Sequence, residues 1–504
     1  MLAFAASSTS CGNEKPTGPN VEVPGLRVVA GGGFADTIEA NVPTLLSVEV
    51  RQPSGALAVG TVVRFLAGTV PVGSDRAQTL RLCSSAKLTC DSSELLRLDT
   101  TNAQGLARVR VQLGAVAGRA QLQVTAPDFG FVDSVAFDVR AGAPARIVRV
   151  AADTGLVIGE QATLRSRITD RSGNVRPELP RLSGTATVAT IDTLTDAVTG
   201  AAFGAQWLQL RYASLTDSIM LRVFPSGRLV AWAGPTQKIS LVDMNGRNRR
   251  VLADSVTSLL GVYPQFDPSR QKVVFQRSNG SNYSVPNIVT VLDTTAGGGR
   301  REILAATGFR LVLATRVLVD GAVLVVGQRT GDPDVYPGEG FGVWRVAVDG
   351  AIVPVASLPR LSTTIGAADF SHDGTRVAFC AGLSYNGTLS VMTLGTGATV
   401  VVSPTASAAP RWSPLDDRIA FIASEDAAAV ETTGALVVVF ADGTGRVRLT
   451  SESFTSAVAW SPSGDYLVAS SRRDPVGLRM IRVRDAVAIP LRFGDGSFNQ
   501  VDWR

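Results

Sequence analysis

Between residues 266 and 469 a ten-residue phrase recurs four times, and a fixed repeat restricts the fold of a chain more than any local propensity does. The copies are Phe266–Phe275 (FDPSRQKVVF), Phe370–Phe379 (FSHDGTRVAF), Trp412–Phe421 (WSPLDDRIAF) and Trp460–Ala469 (WSPSGDYLVA). Each opens on a marker aromatic, continues into a polar turn and returns as an apolar strand. Proline, where present, sets φ early in the turn, and Asp or Gly completes it. A later strand follows each hairpin, as in Ile288–Leu292, Leu389–Met392, Leu436–Phe440 and Leu478–Val483.

The markers are 42 and 48 residues apart from Phe370 to Trp412 to Trp460, but 104 apart from Phe266 to Phe370, which is room for two units. A degenerate copy fills the gap at Thr315–Val326 (TRVLVDGAVLVV), where the Asp320-Gly321 turn joins two apolar runs without an aromatic. The ends of the region complement each other. Gly227–Trp232 (GRLVAW) is a returning strand without a marker, and Val501–Trp503 (VDW) is a marker, Trp503, without a return. Joined, they make a sixth unit and close a ring, which leaves no free sheet edge. The expected architecture of residues 226–504 is therefore a six-bladed β-propeller closed by its C-terminal strand.

The phrase W-S-P-x-G-x-x-I-A-F resembles the TolB-like propeller repeat. That resemblance implies either a periplasmic partner-binding protein or the propeller of a prolyl-oligopeptidase-like peptidase. The peptidases carry a separate α/β-hydrolase domain with a G-x-S-x-G elbow, for which this chain has no room.

Residues 21–144 alternate apolar and polar side chains between turn signals, as in Leu45–Val50, Thr61–Phe65, Ala107–Gln112 and Gln121–Thr125, a period of two that indicates a β-sandwich. The segments Val48–Gly55, Gly60–Phe65 and Thr100–Val109 resemble bacterial Ig-like domains of the invasin and intimin type. Gly105 would supply the turn before the strand that begins at Leu106. In residues 145–225, Val188–Asp192 (VATID) followed by Asp196–Gly200 (DAVTG) resembles a second bacterial Ig-like family. Modules of both families act as spacers without catalytic groups, so the whole chain is expected to be all-β, with two Ig-like sandwiches ahead of the propeller.

Residues 1–20 read as a signal remnant and linker. A short apolar run and small residues precede Cys11, which resembles a bacterial lipoprotein signal and makes Cys11 the lipidation candidate, although Ser8 stands where that pattern has Leu. Cys83 and Cys90 flank a short loop that they could staple in an oxidising compartment, and they lack C-x-x-C spacing. Cys380 lies in an apolar strand and reads as a small buried hydrophobe.

The single histidine, His372, excludes most histidine-dependent catalysis and metal binding. It stands where other copies have Pro268, Pro414 and Pro462, so it reads as a turn residue. Asp332, Asp334 and Glu339 do not follow EF-hand spacing, Asp416-Asp417 reads as a turn, and Glu425-Asp426 as a solvated loop. No catalytic residue, cofactor or metal is expected. The net charge of +5 is scattered rather than clustered, which argues against nucleic acid.

The expected role is that of a monomeric bacterial envelope protein in the periplasm or on the outer surface, held to the membrane only through a lipid at Cys11. Its funnel would bind a protein, peptide or glycan. The alternatives are a carbohydrate-active hydrolase or lyase using funnel carboxylates, and a purely structural surface protein.

Overall fold

Alternation in the first half of the chain and repetition in the second both produce strands, and the computed structural model of the chain is almost entirely β. It describes residues 23–503 except 69–79, 89, 91–93, 151–153, 184–186, 257–261, 268, 279–286, 295–301, 330–339, 360–367, 382–386, 407, 424–433, 472–476, 492, 494–497 and 499. Contacts group the chain into two units. One comprises 1–151, 165–181 and 210–217, and the other 152–164, 182–209 and 218–504, so the stretch 145–225 contributes strands to both.

In the first unit, one sheet orders Gly25–Ala30, Leu46–Arg51, Leu106–Leu113 and Leu80–Ser84, and a second orders Ala35–Thr37, Phe131–Arg140, Gly118–Ala126, Val62–Ala67 and Leu96–Thr100. Period-two patterning sends Ala107, Val109, Val111 and Leu113 inward, where they share one core with Phe65, Leu122, Val124 and Phe137. Leu106 opens its strand only half-buried. Gly105 takes φ +67°, and a Cβ there would meet Val50 O and Leu57 at 3.1 Å, so the turn needs glycine for both reasons. Cys83 and Cys90 are joined by a disulfide.

Residues 145–225 form smaller sheets. Thr154–Val157 pairs in parallel with Leu215–Phe224, and Ala197–Gly200 pairs on its two sides with Gln161–Thr163 and Ala189–Asp192.

From Arg228 onward the strand pairings define six four-stranded blades. Blade one is assembled from both ends of the region: Gln500–Trp503 pairs with Arg228–Ala233, which pairs with Lys238–Asp243 and so reaches Arg250–Ala253. Blade two begins at Gln265–Phe266, followed by Lys272–Ser278 and Asn287–Asp293. The long strand Glu302–Val317 ends blade two with its first half and begins blade three with its second, ahead of Val323–Arg329, Gly342–Val346 and Ile352–Ser357. Blade four runs from Ala368–Phe370 to Thr399–Ala406, and blade five starts at Ala408–Trp412. A second long strand, Val447–Trp460, joins blade five to blade six, which ends at Ala488–Leu491.

The closing strand carries apolar and polar anchors together. Val501 and Trp503 pack with Leu229, Ala459 and Met480, and Gln500 Oε1 accepts the N–H groups of Val262 and Tyr263 at 2.8 and 2.6 Å. Deleting residues 498–504 removes this ladder and the buried Phe498, Val501 and Trp503. Since removing one buried large aromatic side chain from a core costs about 3–5 kcal/mol, the truncated chain is expected to lose about 10 °C or more in melting temperature by calorimetry. An unchanged melting temperature would contradict closure by this strand.

Candidate functional site: the axial cavity

Strand alternation places each marker aromatic and the residue before it on opposite faces of the innermost strand. The markers Phe370, Trp412, Trp460 and Trp503 pack between blades, none more than 5% exposed, while Phe266 is half-buried. In blade three Val317 stands in the marker's place. Leu318 N–H donates to Ala322 O (2.7 Å) and Gly321 N–H to Leu318 O (3.0 Å), as Ser371 N–H does to Arg376 O and Gly374 N–H to Ser371 O (2.9 Å each) in blade four.

The residues preceding the markers, from blade one to blade six, are Asp502, Gln265, Arg316, Asp369, Arg411 and Ala459. All but Ala459 line one cavity of about 260 Å³, with the turn residues His372, Pro414 and Pro462 also on its wall. One sequence position, repeated around the ring, thus builds the lining.

Most of these side chains also reach another blade. Asp502 Oδ2 accepts Phe266 N–H at 2.7 Å, tying blade one to blade two, and Asp369 Oδ2 accepts Trp412 N–H at 2.8 Å, tying blade four to blade five. Arg411 Nε donates to Val458 O at 3.1 Å, and its backbone carbonyl accepts the Trp460 indole N–H at 2.9 Å. Arg316 donates to the carbonyl of His372. Gln265 Nε2 reaches from blade two to blade four, donating to Asp369 Oδ1 at 3.3 Å.

The cavity shifts proton equilibria in the directions that burial dictates. Burial pushes the Asp502 carboxyl up to about 6, against the Phe266 and Trp503 amides and the charge of Arg411 that favour its ionised form. Burial also raises Asp369 over the opposing effects of Arg411, the Trp412 amide and Arg316. The guanidinium of Arg316 is pushed down by the same desolvation, against the charges of Asp369, Asp502 and Asp373.

Among the residues singled out from sequence, His372 is an exposed turn residue at the wall of the cavity. Cys380 is fully buried, and burial pushes its thiol up to about 12. Asp416 and Asp417 do more than turn the chain. Asp416 accepts from Arg418 Nε at 2.8 Å, and Asp417 pairs with Arg376 of blade four, whose guanidinium lies 5.0 Å from the Trp412 ring centroid. Cys11, Pro268, Asp332, Asp334, Glu339, Glu425 and Asp426 lie outside the described residues. The sequence pattern singles out none of the cavity's charged residues, because the position before each marker carries a different kind of residue from copy to copy.

No family model matches the sequence, and no curated protein matches it significantly. Solved structures similar to this chain include TolB from Acinetobacter baumannii, at 15% identity and a TM-score of 0.42, covering 55% of this chain and 66% of that one. A nidogen/laminin complex is similar at 8% identity and a TM-score of 0.38, covering 55% of this chain and 98% of that one. A gluconolactonase from Xanthomonas campestris is similar at 13% identity and a TM-score of 0.33, covering 64% and 96%.

An acid whose folded value is raised binds its proton more tightly in the native state, so its contribution to stability is greatest at low pH and is lost as pH rises from about 4 to about 6. From the ordinary 3.8 to about 6, that contribution is on the order of 3 kcal/mol for Asp502. Asp502→Asn retains an acceptor for Phe266 N–H. It is expected to melt above the parent at pH 7 and to lose that advantage near pH 4, as read by calorimetry at both values; a constant difference would overturn the burial argument.

Proposed function

We propose that the chain is an exported bacterial envelope protein whose propeller binds a partner segment at the mouth of its axial cavity. In this reading a lipid on Cys11 tethers the chain, and the Ig-like modules space the propeller from the membrane. The observation that carries the reading is the cavity itself, in which five side chains converge from five blades on one charged space. The TolB-like repeat phrase and the Cys11 segment support an envelope setting. Among the described residues no helix is long and apolar enough to cross a membrane.

One observation favours a second reading, in which the cavity is a carbohydrate-active site. Asp369 and Asp502 share it with raised proton affinities, as a general acid requires. The Oδ2 atom of each is already held by a backbone amide of another blade, so binding remains the better account.

A photo-crosslinking residue at the exposed Arg270 or His372 should give a discrete adduct when the intact protein is mixed with detergent-solubilised envelope, and Arg270→Glu should weaken the His372 adduct severalfold. The same residue at Val447, exposed on an outer strand, should give none. Equal labelling at all three positions would count against the mouth as the binding surface. Release of reducing sugar from envelope glycans, abolished by Asp502→Asn, would establish the second reading instead.

A further inference from the structure

We propose that the axial cavity clamps a carboxylate of its ligand between Arg411 and Arg316, with the indole N–H groups of Trp412 and Trp503 beside it. The proposal rests on the partner-binding reading and names the chemical group the cavity selects. Its starting point is an imbalance between donors and acceptors. Among the described residues, Arg411 Nη1, Trp412 Nε1 and Trp503 Nε1 are buried and have no acceptor, and the residues that carry them, 8%, 5% and 5% exposed, all line the cavity. A buried polar group left unpaired costs about 1–3 kcal/mol, and native interiors rarely leave three around one space.

The carboxylates already present do not fill this need. Asp502 Oδ2 and Asp369 Oδ2 accept from the Phe266 and Trp412 amides, and Asp369 Oδ1 accepts from Gln265. Among the described residues, neither Arg316 nor Arg411 forms an ion pair with a carboxylate; Arg316 donates to a carbonyl, and Arg411 spends its Nε on Val458 O. Burial favours the neutral form of both acids, and Asp502 holds its proton below about pH 6, so the cavity repels an entering anion least in mildly acidic solution. A guanidinium offers paired donors in the geometry a carboxylate accepts, and the indoles can only donate.

Size restricts the ligand further. A volume of about 260 Å³ falls just below the ~300–1,000 Å³ of sites that hold drug-sized molecules. It admits a chain terminus or one acidic side chain, while a folded epitope or a long glycan would stay outside.

The test uses the full chain with 15N-labelled indoles, titrated with N-acetylglycine and, separately, with N-acetylglycinamide, which differs only in replacing the carboxylate by a carboxamide. The Trp412 and Trp503 indole resonances should shift saturably with the acid and not with the amide. Arg411→Gln should weaken the acid's apparent affinity at least about tenfold. Should Arg411→Gln fail to fold, Arg316→Gln and the acid–amide comparison in the unmutated chain keep the test decisive. No shift with the acid, equal shifts with both probes, or an affinity indifferent to both substitutions would overturn the proposal. Crosslinking at Arg270 and His372 with no carboxylate preference would sink the clamp alone, whereas a carboxylate-selective cavity without crosslinking would sink partner binding at the mouth.

Discussion

A propeller has a weak point at each seam between blades, because the backbone ladder that holds a sheet together runs within a blade and not across to the next one. In this chain three of the six seams are bridged by the residue that precedes a marker. Asp502 holds the seam from blade one to blade two, Arg316 that from three to four, and Asp369 that from four to five. Blades two and three, and blades five and six, are joined by the continuous strands Glu302–Val317 and Val447–Trp460. At the last seam the position is Ala459, and the junction is apolar: Trp503 lies 6.3 Å from the Tyr466 ring and packs with Met480.

The same side chains that tie the blades also line the axial cavity, so the proposed binding would draw on the atoms that hold the ring. Each acid spends an oxygen on the next blade's amide, and Arg411 spends Nε on Val458 O. The donors left over are the ones on which the proposed carboxylate clamp rests. Outside the axis, Arg376 and Arg418 extend the pattern: each stacks over the next blade's marker, Trp412 at 5.0 Å and Trp460 at 5.2 Å, and adds weight to the seams from four to five and from five to six.

Much of the fold could be read from the sequence because the signals were periodic. The aromatic-turn-strand phrase located the blades, the Asp320-Gly321 turn kept blade three in register without its aromatic, and the complementary ends of the region foretold the pairing of Arg228–Ala233 with Gln500–Trp503. Alternation located four strands of the first unit, Leu46–Arg51, Val62–Ala67, Leu106–Leu113 and Gly118–Ala126, to within three residues. The cavity was not legible in this way. Its position carries Asp, Gln, Arg, Asp, Arg and Ala in turn, so comparing copies averages it away, and only the ring geometry shows that these unlike residues share one space. The long shared strands were missed because each spans the boundary between two copies, where the phrase is silent. Asp417 passed for a turn residue because its partner, Arg376, lies a whole blade earlier.

The most direct test of the account is amide hydrogen exchange at Phe266 and Trp412, the two backbone donors that the axial carboxylates accept. Both amides should be among the slowest to exchange in the propeller. Asp502→Ala should speed exchange at Phe266, and Asp369→Ala at Trp412, each by more than it speeds the amides within its own blade. If Phe266 and Trp412 exchange as fast as the exposed turn amides in the unmutated chain, or if neither substitution moves them selectively, then the axial carboxylates do not hold the ring together.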